Sequence, residues 1–262
     1  MAKTSEIKTT IDRASAAADA FQRDGYVLFE QFLSGEVLND VQANVIRFIE
    51  DVLPGLPREH VFYEDKDDPS TLKQIQQMGE HDPYFGRLMN EGPFRKVAEL
   101  LLDGPVIPKN MQYFNKPSGI GKPTPPHQDG YYFMLDPCEA VTMWFALDDV
   151  DEENGCVRYI PGSHREGMRT HGRTTTLGFS QGITDYPTSD DQAREVAMHA
   201  HPGDLLVHHA LTIHRADGNS SPTRSRRALG FIYYSERARE DEAAHRAYQE
   251  RLKQEMANAG QI

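Results

Sequence analysis

The chain has 262 residues, 28 Lys plus Arg against 40 Asp plus Glu, a formal net charge of −12 and 38% hydrophobic residues. That apolar fraction sustains a sizeable core and excludes a disordered chain; the acidic balance excludes nucleic acid and anionic membranes as partners, because both select basic surfaces, and disfavours a polyphosphate-bearing ligand. Two cysteines, Cys138 and Cys156, form neither a disulfide framework nor a zinc motif. With no signal-peptide pattern, no run of 18 apolar residues and no peroxisomal address at Ala259-Gly260-Gln261-Ile262, a cytoplasmic protein is expected.

In chain order, residues 1–14 are polar and expected to be loose; Ala16 to Gln22 predict a short helix ended before Gly25, and Tyr26-Val27-Leu28-Phe29 a strand. From Ser34, a candidate N-cap, the positions Val37, Leu38, Val41, Val45, Ile49, Val52 and Leu53 recur at helical spacing until Pro54-Gly55. Pro93 starts a second core-facing helix carrying Phe94, Val97, Leu100 and Leu101 inward. Beyond residue 105 the pattern changes to short β-like runs: Met111 to Phe114, Val141 to Leu147, Val157 to Ile160, Asp204 to Ile213 and Arg226 to Tyr234. Asn154-Gly155 predicts a tight hairpin turn. Residues 166–200 read as an aperiodic, lid-like insertion, and 236–257 as a charged outer helix with Ala244, Tyr248, Leu252 and Met256 as its apolar stripe. Beta domains of roughly 200–250 residues commonly form one unit, so 1–262 is read as a single domain with helices wrapped around one β-core.

Chemistry concentrates in His127-Gln128-Asp129. On an extended segment a His-x-Asp points both side chains to one face, and a distal histidine then completes a facial triad of two histidines and a carboxylate, the arrangement of non-haem Fe(II) oxygenases. With 11 His and 40 acidic residues, about two His-x-Asp/Glu matches arise by chance. The other match, His164-Arg165-Glu166, follows the turn Pro161-Gly162-Ser163. His127 instead follows Pro125-Pro126 and precedes Tyr131-Tyr132-Phe133, favourable for a strand or pocket wall.

For the distal ligand, unbroken strand parity puts His208 and His214 on one face. His208 and His209 read as packed or hydrogen-bonded strand histidines. His214 ends its strand before Asp217-Gly218-Asn219-Ser220-Ser221-Pro222, a turn expected to return the chain antiparallel at Arg226. An arginine is thereby expected on the strand next to the ligand, about 4.8 Å away, where it can grip the far carboxylate of 2-oxoglutarate bidentately. Arg226 shares its face with the small Ala228 and Gly230, whereas Arg227 shares with Leu229, Phe231 and Tyr233; Arg226 is favoured.

Taken together, Asp24-Gly25-Tyr26-Val27, His127-Gln128-Asp129-Gly130, Trp144 to Asp149, Glu153-Asn154-Gly155-Cys156, Ile160-Pro161-Gly162-Ser163-His164, Pro202-Gly203-Asp204 and His214 to Ala228 resemble the phytanoyl-CoA dioxygenase family, which includes ectoine hydroxylases. The likeness runs in the family's order from about residue 20 to 235. It implies an α+β, mainly β fold, a double-stranded β-helix (jelly-roll, cupin-like) core with flanking helices, and Fe(II)/2-oxoglutarate-dependent hydroxylation with O2. By position it implies His127, Asp129 and His214 as iron ligands, Arg226, Trp144, Gln112 and Lys73 as cosubstrate residues, and Asp129 as a mark of hydroxylation over halogenation. One departure is Ala216, where the family often carries a small hydroxyl residue.

The reading is therefore hydroxylation of a small, polar molecule, with release of succinate and CO2. Candidate substrate residues are Tyr131, Phe133, Arg173 and Gln181, with Arg158, His171 and Phe179 as further pocket positions. A non-oxidative hydrolase or isomerase using the ion as a Lewis acid, or a non-catalytic small-molecule binder, stand as alternatives; the sequence carries no reading of oligomeric state.

Overall fold

The computed structural model describes residues 15–176 and 179–258; the expectation for residues 1–14 lies outside them. Helix α1 (residues 15–24) ends at Gly25, and β1 (Tyr26–Phe29) follows. Gly25 has φ +81°, and a Cβ there would stand 2.4 Å from His164 Nδ1 and 2.5 Å from Thr212 Oγ1, so both backbone and space require glycine. Helix α2 (Gly35–Arg47) buries Val41 and Val45, and a π turn at Phe48–Val52 continues it. Ser34 makes no side-chain cap bond, and Val37 is 56% exposed: the first turn extends beyond the core it points toward.

The chain then forms β2 (Val61–Tyr63), β3 (Leu72–Ile75), α3 (Met78–His81) and α4 (Pro83–Glu91). Asp82 caps α4 by accepting from the N–H groups of Tyr84 and Phe85. Helix α5 (Pro93–Leu101) starts at the expected proline and buries Phe94, Val97 and Leu101, but Leu100 turns outward. Next come β4 (Val106–Lys116), β5 (Thr124–His127), α6 (Gly130–Phe133), β6 (Leu135–Asp136), β7 (Ala140–Ala146) and β8 (Val157–Tyr159). The stretch 166–200 is more ordered than its Gly/Thr/Asp-rich composition predicts. It holds β9 (His171–Thr176) paired with β10 (Phe179–Ile183), then α7 (Ser189–Arg194) with a Thr188–Asp191 capping box, and β11 (Val196–Met198). The chain closes with β12 (Leu205–His209), β13 (His214–Ala216), β14 (Arg226–Ser235), β15 (Arg239–Glu240) and α8 (Glu242–Asn258). Tyr248 of α8 is buried while Ala244 is exposed, and the side chains of Leu252 and Met256 lie outside the described set.

Two antiparallel sheets form the double-stranded β-helix. The larger runs β1-β12-β7-β14-β4-β3-β2 and the smaller β11-β8-β13-β5. Alternation divides the residues of the large sheet. Val141, Met143, Phe145, Leu205, Val207, Leu229, Phe231 and Tyr233 point out beneath α1 to α5 in one apolar cluster, where Phe94 stacks on Phe231 at 4.0 Å. Trp144, Ala146, Leu206 and Ala228 point inward and meet Val157 and Tyr159 of the small sheet. No helix among the described residues is long and apolar enough to cross a membrane.

Two connections differ from expectation. Asn154-Gly155 does not close a hairpin, because β7 and β8 belong to different sheets; Gly155 has φ +86°, and Asn154 donates to Asp149 O at 2.7 Å, bracing a crossing between sheets. The expected strand 204–213 breaks after His209, where Thr212 N–H donates back to His209 O at 2.8 Å. Strand parity therefore does not carry from His208 to His214.

His209, on the helix side, accepts from Leu211 N–H through Nδ1, and burial, helped by His164 and His208, pushes its pKa down to about 4. An imidazole held neutral in the fold but protonated when unfolded contributes stability that is full above its ordinary pKa near 6.5 and is lost as pH falls toward 4. Thermal unfolding between pH 7.5 and 4.5 should show a shallower acid decline in His209→Asn, which keeps the acceptor, than in wild type.

Candidate active site

Both histidines expected as metal ligands are placed by pairing within the small sheet. His214 lies directly across from His127 on one side and Tyr159 on the other, and cross-strand partners project to the same face. The imidazoles of His127 and His214 are 4.2 Å apart between centroids. His127 Nδ1 donates to Pro125 O at 2.8 Å, and His214 Nδ1 to Thr212 O at 3.0 Å. Each bond fixes the tautomer that leaves Nε2 as a metal-ready acceptor. Burial, with His127 and His208, drives the His214 pKa well below its usual value, keeping the ring neutral.

Asp129 arrives differently from the expected strand alternation. Strand β5 ends at His127, and Asp129 has helical φ/ψ (−59°, −33°) at the start of α6, so a turn swings the carboxylate back toward the histidines. Its Oδ1 lies 3.3 Å from His127 Nε2 and 3.7 Å from His214 Nε2. These three residues are the metal-competent cluster among the described residues, with ligand atoms all within 4.8 Å of one another. Burial alone would raise the Asp129 carboxyl; His214, His127 and His208 outweigh it and hold it well below the usual carboxylate range.

Gln128, passed over as the middle of the motif, is fully buried. It donates to Gly167 O and Leu211 O and accepts from Arg169 N–H at 2.8 Å, tying the ligand turn to two loops. Its side chain is the one sequence reasoning had least signal for, because Gln carries no chemistry of its own.

The large sheet contributes the opposite wall. Arg226 is 5% exposed, and its guanidinium lies 5.2 Å from the Trp144 ring. Among the described residues it has no carboxylate in ion-pair range, and its Nε is buried without a hydrogen bond. Burial lowers its pKa to about 10. Arg227, one residue on, points outward and grips Asp148 at 2.7 Å. The expectation that Arg226 and His214 occupy neighbouring strands is corrected: β14 and β13 lie in different sheets, and Arg226 reaches the same interior from across it. Directly opposite Arg226 on β4 stands Lys116, also buried, its ammonium donating to Lys122 O and its pKa driven well down by burial, Arg226 and Lys73.

Lys73 is brought in by a bulge. Phe62 pairs with Gln74 and Tyr63 with Leu72, so Lys73 is the extra residue, displaced from the side its position would give. It is buried, 3.3 Å from Glu64. Gln74 donates to Gln112 at 2.6 Å, and Gln112 faces Trp144 across Gly230. A Cβ at Gly230 would stand 2.6 Å from Phe114, so the small residue holds this wall flat. Three basic side chains are buried here, two of them direct cross-strand partners, and each disfavours the charged form of its neighbour. The donor set fits a carboxylate-bearing ligand.

Of the substrate candidates, Tyr131 stacks on His171 at 4.5 Å, and Gln181 pairs with Arg173 across β9 and β10, with its carbonyl accepting from Tyr132 OH at 2.7 Å. Phe133 is buried in a cluster with Ala140, Ala210, Ile232 and Tyr234, beneath the site wall. Arg158 is held by Asp217, Glu195 and Glu152; the side chain of Phe179 lies outside the described set. Ala216 is buried between Thr124 and Val157 and adds no hydroxyl.

Comparison with known proteins follows the same lines. The sequence model of phytanoyl-CoA dioxygenase (PhyH) matches residues 21–228. Phytanoyl-CoA dioxygenase 1 of Oryza sativa subsp. japonica is 30% identical over 240 residues, covering 86% of this chain and 79% of that protein; phytanoyl-CoA dioxygenase of Arabidopsis thaliana is 29% identical, covering 80% and 84%. Among solved structures, the non-heme alpha ketoglutarate dependent carbocyclase SnoK from nogalamycin biosynthesis superposes with a TM-score of 0.68 at 25% identity, covering 86% of this chain and 85% of that one. EctD from S. alaskensis, solved with 2-oxoglutarate and 5-hydroxyectoine, shares the fold with a TM-score of 0.68 at 22% identity, covering 83% and 74%.

Replacing Gln128 by Leu leaves two carbonyls and an N–H without their partner at the ligand turn. The expected loss is roughly 2–4 kcal/mol of stability, read by urea denaturation, together with weaker binding of divalent metal in the folded fraction, read by calorimetry.

Proposed function

Because the chain belongs to the phytanoyl-CoA dioxygenase family, we propose that this dioxygenase uses Fe(II), 2-oxoglutarate and O2 to hydroxylate a C–H bond of a small, polar molecule, with the whole chain serving as one oxygenase domain. His127, Asp129 and His214 would hold the iron through their Nε2 and Oδ1 atoms. Arg226 would take the far carboxylate of 2-oxoglutarate, with Trp144, Gln112 and Lys73 lining the same pocket. When bound, the iron and cosubstrate supply the oxidation: 2-oxoglutarate loses CO2 and becomes succinate with one atom of O2, and the other enters the new C–OH. The chain's own work is to bind and orient both organic molecules and to exclude water.

The observation that carries this reading is Arg226. A guanidinium buried without an anionic partner costs several kcal/mol unless a ligand neutralises it, and a Lewis-acid hydrolase or isomerase has no use for one. Of the candidate substrate residues, Tyr131, Arg173 and Gln181 would line the side of the site formed by the paired strands β9 and β10, and Phe133 would support it from its buried cluster. A small substrate is favoured over the acyl-CoA in the relatives' names: the net charge is −12, and Arg158, Arg169, Arg194 and Arg215 are all held by acidic neighbours, leaving those cations committed rather than open to phosphates.

Anaerobic titration of the apoprotein with Fe(II) and then 2-oxoglutarate should develop the weak visible metal-to-ligand charge-transfer band. Asp129→Ala should lose it through lost metal. Arg226→Met should bind iron yet lose the band and the stabilisation given by 2-oxoglutarate, about 2.7 kcal/mol in wild type at 100 times Kd, while its ligand-free Tm stays level or rises because an unpaired buried charge is gone. Iron binding in wild type without any band would overturn the assignment.

A further inference from the structure

Resting on that iron-site reading, we infer that His208 is a positioning residue: with Thr142 it occupies Asp129 Oδ2 so that the carboxylate offers the metal only Oδ1. His208 and Thr142 are direct cross-strand partners on β12 and β7, in the large sheet facing the small-sheet row of Tyr159, His214 and His127. Both converge on one atom. Thr142 Oγ1 donates to Asp129 Oδ2 at 2.5 Å, and His208 Nε2 lies 3.0 Å from the same oxygen. Oδ1 remains the oxygen turned to the two ligand imidazoles.

The direction of the His208 bond is set by Tyr159. Its hydroxyl lies 2.9 Å from His208 Nδ1, and both side chains are buried. A carboxylate accepts only, so Nε2 carries the proton and donates to Asp129, while Nδ1 accepts from the tyrosine. Tyr159 is itself stacked on Tyr26 at 4.6 Å, which holds the hydroxyl in place.

The consequence concerns coordination number. A facial triad leaves three open positions. 2-Oxoglutarate would take two of them through its keto-acid end, leaving the third for O2. An aspartate free to chelate through both oxygens would occupy one of these positions. The same hydrogen bond keeps His208 itself from the metal, although its ring lies 4.2 Å from that of His214. A third imidazole at the site thus serves the open positions rather than filling one.

The test is the anaerobic Fe(II) and 2-oxoglutarate titration in wild type, His208→Leu, His208→Gln and Thr142→Val. Removing an outer partner of a metal ligand typically changes metal affinity about 10–100-fold, so His208→Leu should raise the apparent Kd for Fe(II) by that order and weaken the charge-transfer band. His208→Gln, whose amide N–H replaces Nε2–H, should restore both to near wild type. Thr142→Val, nearly isosteric, should move both in the same direction by less, and with His208→Gln it decides the matter if the leucine variant does not fold. A purely structural role would lower Tm in folded variants while leaving band and Kd unchanged, and that result overturns the proposal, as does a loss that glutamine does not relieve. Absence of a band in wild type overturns the iron-site reading and this inference together; a normal wild-type band with unaffected variants overturns this inference alone.

Discussion

The pairing of β13 between β5 and β8 puts His127, His214 and Tyr159 in one row across the small sheet. Each strand is only three or four residues long, so the row depends on register rather than on strand length, and a slip of one residue would send these side chains to the opposite face. The large sheet offers a matching row, in which Tyr26, His208, Thr142 and Ile232 are successive cross-strand partners. Asp129 lies between the two rows. Everything else at the site follows from holding the sheets at this spacing, which the apolar cluster of Trp144, Ala146, Val157, Leu206 and Ala228 does from within and the helices do from outside.

The inter-sheet space is charged at one end and ringed by histidine at the other. Arg226, Lys116 and Lys73 are buried where water cannot screen them, with Glu64 beside Lys73. Such a cluster opposes folding, and the helix-covered face of the large sheet supplies the offset: β14 alone presents Leu229, Phe231 and Tyr233 to the main core while presenting Arg226, Ala228 and Gly230 to the interior. One strand thus carries an apolar, stabilising face and a face that buries a guanidinium. Strain at a ligand site supported by packing elsewhere is the usual arrangement in functional folds.

Much of this was legible in the residues. The alternation after Arg226 separates the arginine that faces inward from the one that grips Asp148, and Gly25, Pro93 and Tyr26–Phe29 mark their elements closely. What the sequence concealed depends on contacts between distant segments. Nothing local announces that the chain changes sheets between His209 and His214, that Asp129 begins a helical turn, or that a bulge delivers Lys73. The β9–β10 pair was hidden by polar, Gly-containing strands that lack a clean apolar alternation. His208 reads locally as a packed strand histidine; its bond to Asp129 exists only because residues 79 positions apart meet.

Trp144 is the chain's single tryptophan, and its ring lies against the Arg226 guanidinium within a buried apolar cluster. Indole emission depends on the charges and dipoles within a few ångströms of the ring. The protein therefore carries an intrinsic optical reporter at the Arg226 end of its interior: any occupant that draws the guanidinium away from the indole alters the fluorescence of the whole molecule, with no label and no competing tryptophan to dilute the signal.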